Sequence, residues 1–156
     1  MKPELELLFK LTMTGQPNDL GQTPYGKRRF VQITGGSFQG PELSGEVLPV
    51  GTDNALIHPD GVFEPNVNMV LRTADQALIH MSYHGRFFAE PEVMARLLKR
   101  EGTVDPSSYY LRNAVFFETS APALLWLNRT LAISTGEPTP ITDKGIGMSY
   151  TVYRVL

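Results

Sequence analysis

Two runs of residues, 67–73 and 77–87, face each other across the short link Ala74-Asp75-Gln76, and they restrict what this chain can become more than any other feature. If Thr73 stands opposite Ala77, then Leu71 meets Ile79, Met69 meets Met81 and Val67 meets Tyr83. That face is wholly apolar. The other carries Asn68, Val70, Arg72, Leu78, His80, Ser82 and His84. Side chains alternate across a strand, so the two sets point in opposite directions. The chain therefore contains an antiparallel sheet with one face that must be covered.

The rest of the sequence extends that sheet. Leu5, Leu7, Phe9, Leu11 and Met13 alternate with Glu4, Glu6, Lys10 and Thr12, broken only at Leu8, and predict a half-buried strand. Residues 15–26, rich in Gly, Pro, Asn and Asp, predict a loop. Strands are expected over 28–34 and 43–50, with a short apolar piece at 55–58 and a tight turn at Pro59-Asp60-Gly61. Residues 92–100 predict the one helix. Pro91 suits its first turn, Val93, Met94, Leu97 and Leu98 form one apolar face, and Gly102 follows as a stop. Three more strands are expected over 109–119, 124–134 and 145–155. The 14 Gly and 12 Pro are spread along all 156 residues, with no repeat or linker. The expected fold is all-β: one domain, residues 1–156, an antiparallel barrel of about eight strands with one short helix, since closure removes exposed edges.

Composition narrows the partners and the chemistry. Apolar residues make up 42% of the chain and charged residues 19%, which excludes a disordered, strongly solvated chain. A net charge of −2 supplies no basic face, so no nucleic-acid partner is expected. No apolar run reaches the ~18 residues that a membrane-spanning helix needs, and Met1-Lys2-Pro3-Glu4 does not begin a secretory signal. The expected compartment is the cytoplasm. The absence of cysteine rules out thiolate nucleophiles, disulfides and iron–sulfur clusters. No phosphate-cradling glycine loop and no nucleophile elbow is present, so no cofactor is expected. His80 and His84 lie four apart on a strand, about 13 Å, too far to share one metal ion. A site joining His58 to His80 with Asp53 or Asp60 competes with ordinary polar lining of a barrel, and no metal is expected. Lys27-Arg28-Arg29 reads as a solvated edge device.

Several ordered blocks resemble one family. They are Arg29-Phe30, Ile33-Thr34-Gly35-Gly36-Ser37-Phe38, Gly40-Pro41, Val47-Leu48-Pro49, Gly51-Thr52-Asp53, Asp60-Gly61, Leu71-Arg72-Thr73, Tyr110, Phe117-Glu118-Thr119 and Trp126-Leu127-Asn128-Arg129. Together they resemble the domain-of-unknown-function 3237 family over nearly the whole chain. The resemblance implies a barrel like that of allene oxide cyclase and implies little about activity. Asn54 stands where the family often has Trp, and Gln76 where it often has Gly.

With cysteine, metal and nucleotide motifs absent, proton transfer is the chemistry most available. Asp53 is the candidate general base, or the orienter of a water, with His80 and Arg72 facing a substrate's polar end. Asn68 would join them if the polar face of the hairpin lines the barrel. In the alternative that face is solvated and the apolar face fills the interior. Tyr110, Arg112 and Glu118 share parity on one strand, as do Trp126 and Asn128 on the next, and form the expected substrate-binding set. Core packing is the competing account of Trp126, and turn chemistry that of Asp60. Three functions follow: an acid–base isomerase, cyclase, lyase or hydratase for a small apolar carbonyl compound; a carrier or sensor barrel; or a structural subunit with a filled barrel. The expected partner is a small molecule in the barrel. A homodimer or larger homo-oligomer is also expected, because a polar-in hairpin would leave Met69, Leu71, Ile79 and Met81 to be covered from outside.

Overall fold

The computed structural model describes residues 1–100 and 102–156. Its strands are β1 (Leu5–Thr23), β2 (Gly26–Gln39), β3 (Ser44–Ile57), β4 (Phe63–Glu64), β5 (Asn66–Thr73), β6 (Leu78–Ala89), β7 (Tyr109–Glu118), β8 (Ala132–Thr142) and β9 (Gly145–Val155). Helix α1 (Pro91–Lys99) joins β6 to β7. Eight strands close into an antiparallel ring in the order β1-β2-β3-β5-β6-β7-β8-β9 and back to β1. The short β4 spans from β3 to β6 at one end. No helix among the described residues is long and apolar enough to cross a membrane.

The hairpin register is the one that the alternation predicts: Leu71 pairs with Ile79, Met69 with Met81 and Val67 with Tyr83. All six are buried to 1% exposure or less, so the apolar face turns inward. The other strands obey the same rule. Leu11 and Met13, Ile33, Val47, Leu111 and Val115, and Tyr150 and Val152 fill the interior from their own alternate positions. Each fully buried large side chain contributes about 1.5–3 kcal/mol, and a polar-in hairpin would forfeit six such contributions. The argument for an oligomer drawn from an outward apolar hairpin face falls with that arrangement.

Three expectations about elements need correction. Residues 15–26 are strand rather than loop: β1 and β2 run together as a long arm from Gly15↔Ile33 to Thr23↔Gly26, with bulges at Thr14/Gly15 and Asp19/Gly21. The turn residues mark those bulges and the arm's tip, not a break in pairing. The pieces 43–50 and 55–58 are one strand, β3, interrupted in its pairing near Gly51. The expected strand over 124–134 is half helical. Pro122–Arg129 forms a 3-10 segment that inserts fully buried Leu127 into the barrel, and β8 starts only at Ala132. Helix α1 falls where its apolar spacing puts it and ends at Arg100, whose left-handed φ of 55° terminates the helix.

The antiparallel ring has two unlike ends. The end where β7 runs into Pro122–Arg129 is plugged: Phe9 packs against Phe38 and Phe117, with ring centroids 5.3 and 6.1 Å apart, and Leu127 lies in the same cluster. The other end, bounded by α1 and the β1–β2 and β8–β9 arms, holds a cavity.

Candidate functional site

Strand alternation puts Asp53 on the inner side of β3 in phase with buried Ala55, opposite Val67 on β5. At that height the barrel's inner side chains no longer meet, which leaves a cavity of about 90 Å³ that opens to solvent. Met13, Val31, Phe63, Phe87, Leu111 and Met148 line it, and Asp53, Tyr150, Arg29 and Arg100 are its polar members. An empty apolar cavity of about 150 Å³ takes up benzene, so the dimensions suit a small organic molecule that partly protrudes.

Asp53 is half-buried and accepts one hydrogen bond, from the backbone N–H of Asn66 to Oδ1 at 3.0 Å. Burial among apolar groups disfavours its charge more than that single donor favours it, and its pKa is pushed up to about 6. Tyr150 is 5% exposed, and its ring meets that of Tyr83 edge-on with centroids 5.4 Å apart. Burial pushes both phenols above their ordinary range, and the nearby Asp53 charge adds to that. Both therefore remain proton donors at neutral pH. Arg29 reaches the cavity from the β1–β2 arm, donating to Asp19 from Nε at 2.6 Å. Arg100, at the end of α1, donates to the carbonyls of Thr139 (3.0 Å) and Gly147. Burial pulls its pKa below the ordinary arginine value.

Of the proposed catalytic trio, the structure brings only Asp53 to the cavity. Arg72 and His80 lie on the outer side of the hairpin. The Nε of Arg72 donates to Glu46 at 2.8 Å, and His80 Nε2 lies 3.0 Å from Asn68 Oδ1. A hairpin that buries its apolar face must turn these three residues outward. The second set stays outside the cavity too. Tyr110, Arg112 and Glu118 do share a face, but it is the exposed face of β7. Tyr110 stacks on Phe88 at 5.1 Å, and the Arg112 guanidinium lies 5.2 Å from the Tyr110 ring centre. Trp126 packs beside the core under Arg154 (5.5 Å), away from the cavity. Asn128 clamps the chain after β7, accepting from Thr119 N–H at 2.8 Å and donating to its carbonyl at 2.9 Å. His58 pairs with Glu64 at 2.8 Å, and among the described residues no three His, Asp or Glu side chains could hold a metal ion. Asn54 points away from Asp53's side of β3, so its departure from the usual tryptophan does not alter the cavity wall.

The members that sequence reasoning missed carried a usable signal. Tyr150 shares parity with Met148 and Val152, and Arg29 with Val31 and Ile33. Following the inward phase along each strand finds both. Arg100 gave no such signal, because it reaches the cavity from a helix terminus.

Fold and site together define a class: a small closed antiparallel barrel, plugged at one end, with a desolvated carboxylic acid in an apolar cavity at the other. The chain belongs to the family of proteins of unknown function DUF3237, which matches residues 3–155. It is 34% identical to the UPF0311 protein RPA1785 of Rhodopseudomonas palustris over 138 residues, which is 86% of this chain and 90% of that one. The crystal structure of RPA1785 superposes with a TM-score of 0.89, covering 100% of this chain and 99% of that chain. A β-barrel-like protein of Acinetobacter baumannii is 31% identical with a TM-score of 0.81, covering 100% and 98% of the two chains. An enzyme from Penicillium herquei, 23% identical with a TM-score of 0.66 over 97% of this chain and 96% of that one, shares the fold.

Proposed function

We propose that this protein is a cofactor-independent acid–base enzyme acting on a small, largely apolar carbonyl compound held at the open end of the barrel. The observation that carries this reading is Asp53, a carboxylic acid with its pKa raised to about 6 in an apolar cavity beside a protonated phenol. At pH 7 such a group is mostly ionised yet poorly solvated, which suits a general base. It takes a proton from the carbon next to the carbonyl. The C–H electron pair moves onto the carbonyl oxygen, and the Tyr150 hydroxyl donates a hydrogen bond to the resulting enolate. Return of the proton to a different carbon completes an isomerisation, and departure of a β-substituent completes an elimination.

The test is exchange in deuterium oxide. The protein is incubated with 2-hexanone, and incorporation of deuterium beside the carbonyl is followed by NMR. Catalysed exchange is expected, and Asp53→Asn lowers it by about two to four orders of magnitude. Exchange no faster than in the Asp53→Asn chain overturns the reading. Binding of the ketone without exchange would then favour a carrier, a role that the apolar lining of the cavity also suits.

A further inference from the structure

The proposed chemistry uses one polar wall of the cavity and leaves the two guanidinium groups at its mouth without a task. Arg29 and Arg100 arrive from unrelated places, the β1–β2 arm and the end of α1, yet line the same cavity. Both are fixed in place. Two Arg29 nitrogens donate to Asp19, at 2.6 and 3.2 Å. Arg100 Nη1 donates to two backbone carbonyls, and its Nη2 contacts the sulfur of Met148 at 3.9 Å. A guanidinium has five N–H donors in a planar fork, so each retains N–H groups beyond these contacts.

Their charges are unequally matched. Arg29 is paired with Asp19, whereas among the described residues no carboxylate lies within ion-pair distance of Arg100. Arg100 is nevertheless partly desolvated, and Arg29's charge and burial both press against its own. Holding a second cation near a partly desolvated guanidinium that has no carboxylate partner among the described residues costs free energy. An anion at the opening would recover it. The rest of the cavity wall is largely apolar, and the charges of Asp53 and Arg100 both reach Tyr150.

We infer that Arg100 and Arg29 form an anion-binding subsite at the cavity mouth, so that the natural ligand is a small carbonyl compound bearing a carboxylate. The planar carboxylate matches the guanidinium fork, and the apolar body of the ligand extends toward Asp53. This assignment of ligand class rests on the reading of the cavity as the substrate site.

The experiment is an equilibrium measurement, so that it does not depend on turnover. Dissociation constants for 5-oxohexanoate and for 2-hexanone are measured by calorimetry at pH 7 on the intact chain and its variants. 5-Oxohexanoate is expected to bind at least tenfold more tightly than 2-hexanone. Arg100→Gln removes that preference, read as the ratio of the two dissociation constants, and Arg100→Lys, which keeps the charge, retains part of it. If Arg100→Gln fails to fold, Arg29→Gln supplies the same comparison from the other side of the mouth, with a preference reduced rather than lost. Equal affinity for the two probes, failure of either to bind, or a preference untouched by both substitutions overturns the subsite. Asp53→Asn separates the two proposals: it lowers deuterium exchange by about two to four orders of magnitude and leaves the carboxylate preference standing. Absence of the preference in the intact chain, with exchange present, rejects the anion subsite alone.

Discussion

At the plugged end of the barrel, Phe9, Phe38, Phe117 and Leu127 pack into one buried cluster. At the open end the corresponding inward positions hold Gly15, Asp53, Ala55 and Met148, and the space stays empty. One alternation of side chains produces both ends. What differs is side-chain volume at a few inward positions, together with the cover: a buried 3-10 segment at one end, and a helix and two arms at the other. Stability is thus concentrated where chemistry is absent, and the acid sits where packing is thinnest.

The most forceful way to test that contrast is to hollow out the plug. Phe9→Ala is expected to cost about 3–5 kcal/mol in urea unfolding, while Met148→Ala at the partly solvated cavity wall costs less than half as much. Equal losses at the two positions would dissolve the distinction between the ends.

Asp53 tests the same contrast with the opposite sign. Its carboxyl binds a proton more tightly in the folded chain, near pH 6, than in the unfolded chain, near pH 4. The folded state therefore holds more protons between those values, and stability falls as pH rises through that window. Asp53→Asn removes the penalty. The variant is expected to be up to about 3 kcal/mol more stable than the parent at pH 8 and equal to it near pH 3. Thermal melts at the two pH values check this, and a variant less stable at pH 8 would mean that the carboxylate is structurally needed.

Smaller effects are expected away from both ends. In the 73–77 turn Gln76 adopts a left-handed φ of 72°, a region that a side chain makes costly and glycine enters freely. Gln76→Gly should gain up to about 1 kcal/mol, measured as a shift in the denaturant midpoint. The smallest effects belong to the outer face of the hairpin. Arg72→Ala and His80→Ala should each change stability by less than about 0.5 kcal/mol and leave deuterium exchange untouched. A large loss of exchange in either would return them to the site.

The barrel was legible because the hairpin at 67–87 has only one register that unites its apolar residues, and closure follows once about eight such strands must hide their edges. The turn at Gln76 shows the same consistency: the position at which the family often carries glycine has a backbone that favours it. The arm at 15–26 was not legible, because a bulged, two-sidedly polar ribbon uses the same residues as a loop. Asp53 was found from its block of neighbours. Arg72, His80 and Asn68 would join it only if the polar face of the hairpin lined the barrel, and that face is the solvated one. In a barrel this narrow the interior is mostly apolar, and polar groups reach it at the few inward-phase positions, such as Asp53, Asn113, Ser134 and Tyr150, that carry them. Phase, rather than residue type, was the information to follow.

The pairing of β1 with β9, Leu5 beside Val155, also has a consequence for the chain's birth. During synthesis the first strand emerges long before its second neighbour exists, and it must wait with one side open until residues 145–155 leave the ribosome. Ring closure is therefore the last and most distant contact to form, which places this protein among slow-folding, non-local topologies and makes the nascent chain dependent on protection of that edge.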